Sequence, residues 1–191
     1  MSFLQGPRTK LGYKLLRRKV RKLDRHKTYN NLDSAVTVGI LFDATNESDI
    51  DDVKRFVSAL AKEGKRVDVL GMVNTRLELG VHNCEVGFNY FAADDCNFWC
   101  YPKGVAALQF ITQSFDILLN VSPGICLSTD YIVGMSKAKF KVSTRLSDEA
   151  YADFILQFAT GTAADGKPHP MPSAGQIISA MKQYLSNIAK A

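Results

Sequence analysis

His82, Cys84, Cys96 and Cys100 place four nitrogen and sulfur donors within nineteen residues, the one constellation in this 191-residue sequence whose types could hold a metal. Zinc takes such ligands, and the C-x-x-x-C step from Cys96 to Cys100 lies near the lower limit of zinc spacings. The other pair is H-x-C, which faces one way only if residues 82–84 form a strand, and a free cysteine commonly serves as a small buried hydrophobe. No metal site is therefore assigned. Nucleophilic chemistry has less to build on. His26, His82 and His169 fall in a basic helix, a loop and a proline-flanked loop, none beside a Ser or Cys in a pattern with mechanical meaning. Asp94 and Asp95 could be paired carboxylates for acid–base work, but adjacent acids in a turn are ordinarily solvated. There is no G-x-G-x-x-G, no G-x-x-x-x-G-K-[ST] and no G-x-S-x-G, which removes the usual phosphate-cradling loops and the nucleophile elbow. No catalytic residue and no cofactor are assigned, and the chain reads as one that binds rather than catalyses.

Binding chemistry is better represented. Residues 1–34 carry ten Lys or Arg against two Asp, about +8, which leaves about −3 for the other 157 residues of a chain whose net charge is +5. Leu11, Leu15, Leu16, Val20 and Leu23 recur at spacings of three and four, which predicts an amphipathic helix over residues 10–27. Lys14, Arg17, Arg18, Arg21, Lys22 and Arg25 fall mostly on its other faces. Such a helix can dock by its stripe and still offer cations to phosphate, so these six are the candidate anion- or RNA-binding residues. An Arg-rich start also resembles an organellar presequence, but serine is scarce there and the apolar spacing continues straight towards the fold.

The elements behind this helix alternate. Residues 35–42, AVTVGILF, form a short apolar, β-branched run of the buried-strand type. A helix follows, opened by a Ser48–Asp51 capping box and stopped by Gly64, with Val53, Phe56, Val57 and Leu60 on its buried face. Residues 66–73 make a second strand and complete a β-α-β unit. The pattern recurs as a strand over 115–121, a helix over 122–135 and a strand over 138–143. A further strand over 151–158 and a C-terminal helix over 173–189, with a Ser173–Gln176 capping box, end the chain. The expected fold is α/β, a three-layer Rossmann-like arrangement around a largely parallel sheet: residues 1–34 a basic helix and connector, residues 35–191 one domain.

Ligands of such sheets bind beyond the carboxyl ends of the strands. The small polar residues expected there, Thr45, Asn46, Asn74, Arg76, Ser122 and Gly124, are the candidate ligand-binding set, with Ser122-Pro123-Gly124 expected at a helix start that suits phosphate or carboxylate. A serine at a helix start is equally a cap, which is its commoner role. Residues 87–103, GFNYFAADDCNFWCYPK, pack six aromatics into fourteen residues. Most are expected to close the sheet's edge, with Trp99 and Tyr101 the candidate partner-facing exceptions.

The segments GFNYFAADDCNFWCYPK, FDILLNV, LSTDYIVGMSKAKFKVS and YADFILQF together resemble an uncharacterised family of bacterial cytoplasmic proteins, a domain of unknown function, over nearly the whole chain. The resemblance implies a short Rossmann-like protein preceded by a basic helix and names no activity; Cys100 stands where a small residue is expected in that family. FDILLNV through AKFKVS is also similar to the acceptor half of heptosyltransferase-type glycosyltransferases, over about thirty residues. Those enzymes hold their nucleotide sugar with a second Rossmann domain, for which no residues remain here.

The absence of an apolar run long enough to span a bilayer, and of a secretory signal, predicts a cytoplasmic protein with its four cysteines reduced. The leading functional expectation is a non-catalytic binding protein whose basic helix contacts RNA, a ribonucleoprotein or another anionic partner. The alternative is a small enzyme or sensor for an anionic metabolite, a nucleotide or sugar phosphate, at the sheet's carboxyl edge. A third puts the basic helix on an anionic membrane surface, and the plainest leaves it a docked helix with a solvated cationic face.

Overall fold

The computed structural model of the protein describes residues 5–75, 87–92, 95–144, 146–158 and 170–188. Six strands form one parallel sheet in the order β3-β2-β1-β4-β5-β6: β1 Thr37–Asp43, β2 Arg66–Val73, β3 Phe88–Ala92, β4 Ile117–Asn120, β5 Phe140–Ser143 and β6 Phe154–Ile155. Among the described residues five helices accompany them, which we number α1 Gln5–Val20, α2 Glu47–Lys62, α3 Val105–Thr112, α4 Leu127–Met135 and α5 Ala174–Ile188. The expected Rossmann-like α/β architecture is the observed one. Alternation along the strands sorts the core. Val38, Ile40, Phe42, Ile117 and Leu119 face α2 and α5, while Leu41, Leu70, Phe91 and Leu118 face the side of α1, α3 and α4.

Local chemistry explains most boundaries. Gly64 ends α2 at φ +78, a conformation that costs glycine little. At α5 the Gln176 amide accepts a hydrogen bond from Ser173 backbone N–H and the Ser173 hydroxyl accepts one from Gln176 N–H, the expected capping box. Two acids of α2 add to this cap: Asp49 accepts from Ala174 N–H and Asp52 from Gly175 N–H, so carboxylates face the positive end of the α5 dipole.

Several expectations shift. The N-cap of α2 is Asn46, whose side chain accepts from Ser48 N–H, so the Ser48–Asp51 box does not form. The helix expected from 122 starts only at Leu127, because Val121 to Cys126 remain an extended, Pro-Gly-containing loop. The strand expected over 151–158 is a 3-10 turn at Glu149–Tyr151 followed by a two-residue β6. Helix α3, which pattern reading left out, carries Ala107, Phe110 and Ile111 into the core.

Helix α1 ends at Val20, not at residue 27. Its last turn tightens through Lys22 N–H to Lys19 O and Leu23 N–H to Val20 O, and the chain then runs extended along the amino ends of β4 and β5. Thr28 N–H bonds to Lys139 O, Asn30 Nδ2 to Asp116 O, and Arg25 to Ala138 O. These tertiary bonds replace the last helical turns that the leucine spacing predicts. Docking also uses a different residue from the expected stripe: Leu11 is exposed, while Gly12 is buried beside Leu127. On α4, a Cβ at Gly134 would sit 2.9 Å from Val20 and 3.6 Å from Leu16, so the bare glycine lets the two helices close on each other.

Candidate functional site

The exposed cations come from α1 and the turn after it. Lys14, Arg17, Arg18, Arg21 and Lys22 are all solvent-exposed, whereas Leu16 on the opposite face is fully buried. Arg25 does not join them: its side chain is 7% exposed, and its guanidinium makes a two-pronged pair with Asp153 at 2.7 and 2.6 Å. Arg25 is thus a structural residue that fastens the connector. Arg17 is partly neutralised by Asp148 at 2.7 Å.

Next to α1 stands the loop of residues 95–103. Asn97 organises it, its side-chain carbonyl accepting from Trp99 N–H and Tyr101 N–H, while Cys100 N–H returns to Asn97 O. This brings Cys100 to φ 59, the left-handed region, in which a non-glycine residue is uncommon because its Cβ crowds the backbone. Cys100→Gly is therefore expected to stabilise the fold by about 1 kcal/mol, seen as a rise in Tm of roughly 2–4 °C; a fall in Tm would overturn the assignment of strain.

The aromatic expectation divides unevenly. Tyr101 is buried, 3% exposed, with its hydroxyl donating to Gly12 O at 2.6 Å and its ring stacked on Tyr131. Burial pushes its phenol up to about 12, so it stays a donor. Trp99 is half-buried, and the ring that stands out is Phe98, 65% exposed, which sequence reading did not single out. Lys19, also missed, lies over the rings of Tyr101 and Tyr131 at 5.0 and 5.5 Å. Arg18, Lys19, Lys22, Leu15, Asn97, Trp99 and Tyr101 line one hollow of about 280 Å³. The basic helix and the aromatic loop, some 80 residues apart in sequence, thus form one surface.

A second groove of about 480 Å³ runs beside Lys10, Tyr13, Lys14, Arg17 and Ser147. Beneath α1, Ser147 N–H donates to Asp130 Oδ2, and Asp130 Oδ1, Ser147 Oγ and Tyr151 OH are buried with no hydrogen-bond partner in direct geometry among the described residues. Burial, only partly offset by Ser147, pushes the Asp130 carboxyl up; burial and then the Asp130 charge push the Tyr13 phenol up as well.

The candidate ligand-binding residues at the carboxyl edge of the sheet do not gather into one site among the described residues. Thr45 and Asn46 are exposed in the turn that caps α2, and Asn74 is exposed after β2; Arg76 lies outside the described residues. Asn120 is buried, donating to Ser143 and accepting from Ser122 N–H. Ser122 is buried with an unpartnered hydroxyl and Gly124 is half-buried, and neither is at a helix start, which corrects the expected anion geometry. Among the described residues, a hollow of about 290 Å³ at this edge is lined by Ile125, Thr144, Leu146, Glu149, Ile155, Gln157 and Phe158.

His82 and Cys84 also lie outside the described residues. Cys96 contacts the Ser128 hydroxyl, Cys100 Sγ accepts from Arg8, and no group of metal-binding side chains occurs among the described residues. Burial pushes the Cys96 thiol up, away from thiolate chemistry.

A family model described as a family of unknown function (DUF6913) matches residues 8–165. No curated protein shows significant similarity to the chain, so the partial likeness to heptosyltransferase-type enzymes gains no support.

Proposed function

The chain belongs to DUF6913, a family of unknown function, and we propose that it is a non-catalytic binding protein whose basic N-terminal helix contacts RNA, alone or in a ribonucleoprotein. The observation that supports this most is the docked geometry of α1. Leu16 is anchored against the domain while Lys14, Arg18, Arg21 and Lys22 stay exposed, so the cations are held in place before any partner arrives. Pre-ordering lowers the entropy cost of binding, and each phosphate neutralised releases counterions. The buried face of α1 is occupied by α4, which leaves little apolar surface to insert into a membrane; no helix among the described residues is long and apolar enough to cross one. The metabolite-sensor alternative rests on Thr45, Asn46, Asn74, Arg76, Ser122 and Gly124, of which Ser122 is buried away from any helix start and Arg76 lies outside the described residues.

Because α1 is part of the core, deleting it would expose Leu16 and confuse binding with folding. The cleaner test changes Lys14, Arg18, Arg21 and Lys22 together to Gln. RNA affinity at moderate salt is expected to fall more than about tenfold, and the slope of log affinity against log salt to shrink by about 0.7 per lost phosphate contact on a single strand. Undiminished affinity with an unchanged salt slope would show that α1 is not the binding surface.

A further inference from the structure

We propose that the polynucleotide bound at this surface is single-stranded and that one of its bases stacks on the aromatic wall formed by Phe98 and Trp99. The proposal rests on the polynucleotide-binding role of α1 and adds what the cations alone cannot supply, a discrimination between paired and unpaired strands. A duplex presents phosphates and hides its base faces, so a surface meant for a duplex gains nothing from exposed rings. Here the rings stand where a base would meet them. Phe98 is the most exposed of the aromatic side chains around the loop, 65% open to solvent, and packs edge-on against Trp99 with ring centroids 4.9 Å apart. Arg8 lies over the Phe98 ring at 5.2 Å, a planar cation that can itself cover a base.

The geometry between rings and cations also fits a strand. Trp99 shares the lining of the 280 Å³ hollow with Arg18, Lys19 and Lys22, so a base against Trp99 has cations within reach of its backbone. Asn97, in the same hollow, spends its side-chain carbonyl on the loop backbone, which leaves its amide N–H groups to donate to a base edge. Loop rigidity is supplied by Asn97 and by Ser128, whose hydroxyl donates to Cys100 O, so the rings need no ordering when a ligand arrives.

Trp99 is the chain's one tryptophan and reports directly on the site. The experiment titrates the full chain with an oligouridylate, the deoxy strand of the same design and a blunt RNA duplex, following both Trp99 emission and the anisotropy of the labelled strand. Both single strands are expected to quench Trp99 and the duplex to leave it unchanged. Phe98→Ala, a surface substitution, should weaken single-strand binding by about 5- to 100-fold and leave duplex binding as it was. Equal affinity for single strand and duplex, with no quenching and no effect of Phe98→Ala, would overturn the stacking while leaving the cationic surface of α1 intact. Binding of neither form would overturn both. A preference for the ribo strand over the deoxy strand assigns the ligand to RNA, and equal binding assigns it to single strands of either kind.

Discussion

Lys141→Met is expected to stabilise the protein by several kcal/mol near neutral and acidic pH, and by progressively less as the pH rises. Lys141 lies on β5 with 2% of its surface exposed, its ammonium donating to Gly134 O at 2.9 Å at the end of α4. Burial pulls its pKa down from 10.5 to about 7; Arg25 and Lys27 act in the same direction, and Asp153 opposes them. The sign follows from proton counting. Between pH 7 and 10.5 the unfolded chain binds a proton that the folded protein has released, so the wild type gains stability as pH rises across that window. Below it the fold must bury a charge, at a cost on the order of 4–5 kcal/mol relative to the neutral lysine. Methionine carries no such charge, though it leaves the Gly134 carbonyl short of a partner, worth about 1 kcal/mol. Denaturant titrations should therefore give a net gain of about 2–4 kcal/mol at slightly acidic pH and near equality above the unfolded lysine's pKa. A difference between the two proteins that stays constant across pH would mean that Lys141 is not held neutral by the fold.

Lys141 also marks where sequence reading stops. Residues 138–143, AKFKVS, are read from the sequence only as a strand, which does not say where its two lysines lie. Lys139 is partly exposed and pairs with Asp116 at 2.8 Å. Lys141 is covered because α4 and the connector after α1 cross over it, and neither crossing leaves a mark on the strand. The apolar runs of β1 and β2, the capping box of α5 and the glycine stop of α2 were legible because each is settled within a few residues. The end of α1 was not, since the bonds that compete with its last turns go to residues 86 to 128 positions away, the longest from Arg25 to Asp153. The candidate site shows the same division. Its cations could be read from charge and period alone. That Phe98 stands out while Tyr101 folds under Gly12 depends on the left-handed turn at Cys100, and that Trp99 lines one hollow with Arg18 and Lys22 depends on tertiary docking.

The second large effect belongs to the carboxylate that closes this crossing. Asp153 accepts both prongs of Arg25 and the Lys141 backbone N–H at 2.9 Å, and lies 3.5 Å from Lys27. Burial alone would raise its carboxyl, but the hydrogen bonds and charge of Arg25 hold it below the usual carboxylate range. Asp153→Ala strands a guanidinium that is 7% exposed beside a second buried base, and is expected to destabilise the fold by about 3–5 kcal/mol. The stabilisation that Asp153 provides is present above the unfolded carboxyl pKa of 3.8 and fades as pH falls through its lower folded value, so the cost should shrink only below pH 3.8. Adding Arg25→Met to Asp153→Ala removes the stranded charge and should recover much of the loss, whereas two unrelated contacts would simply add. Hydrogen exchange separates a local from a global effect. Thr28, whose amide bonds to Lys139 O, should lose protection along with the amides of α1, while β1 and β2 keep theirs until the whole domain unfolds. If α1 stays protected in Asp153→Ala, the connector is not what holds the basic helix on the domain, and its anchoring falls to the contacts of α1 itself, the packing of Leu16 on Gly134 and the Tyr101 hydroxyl on Gly12 O among them.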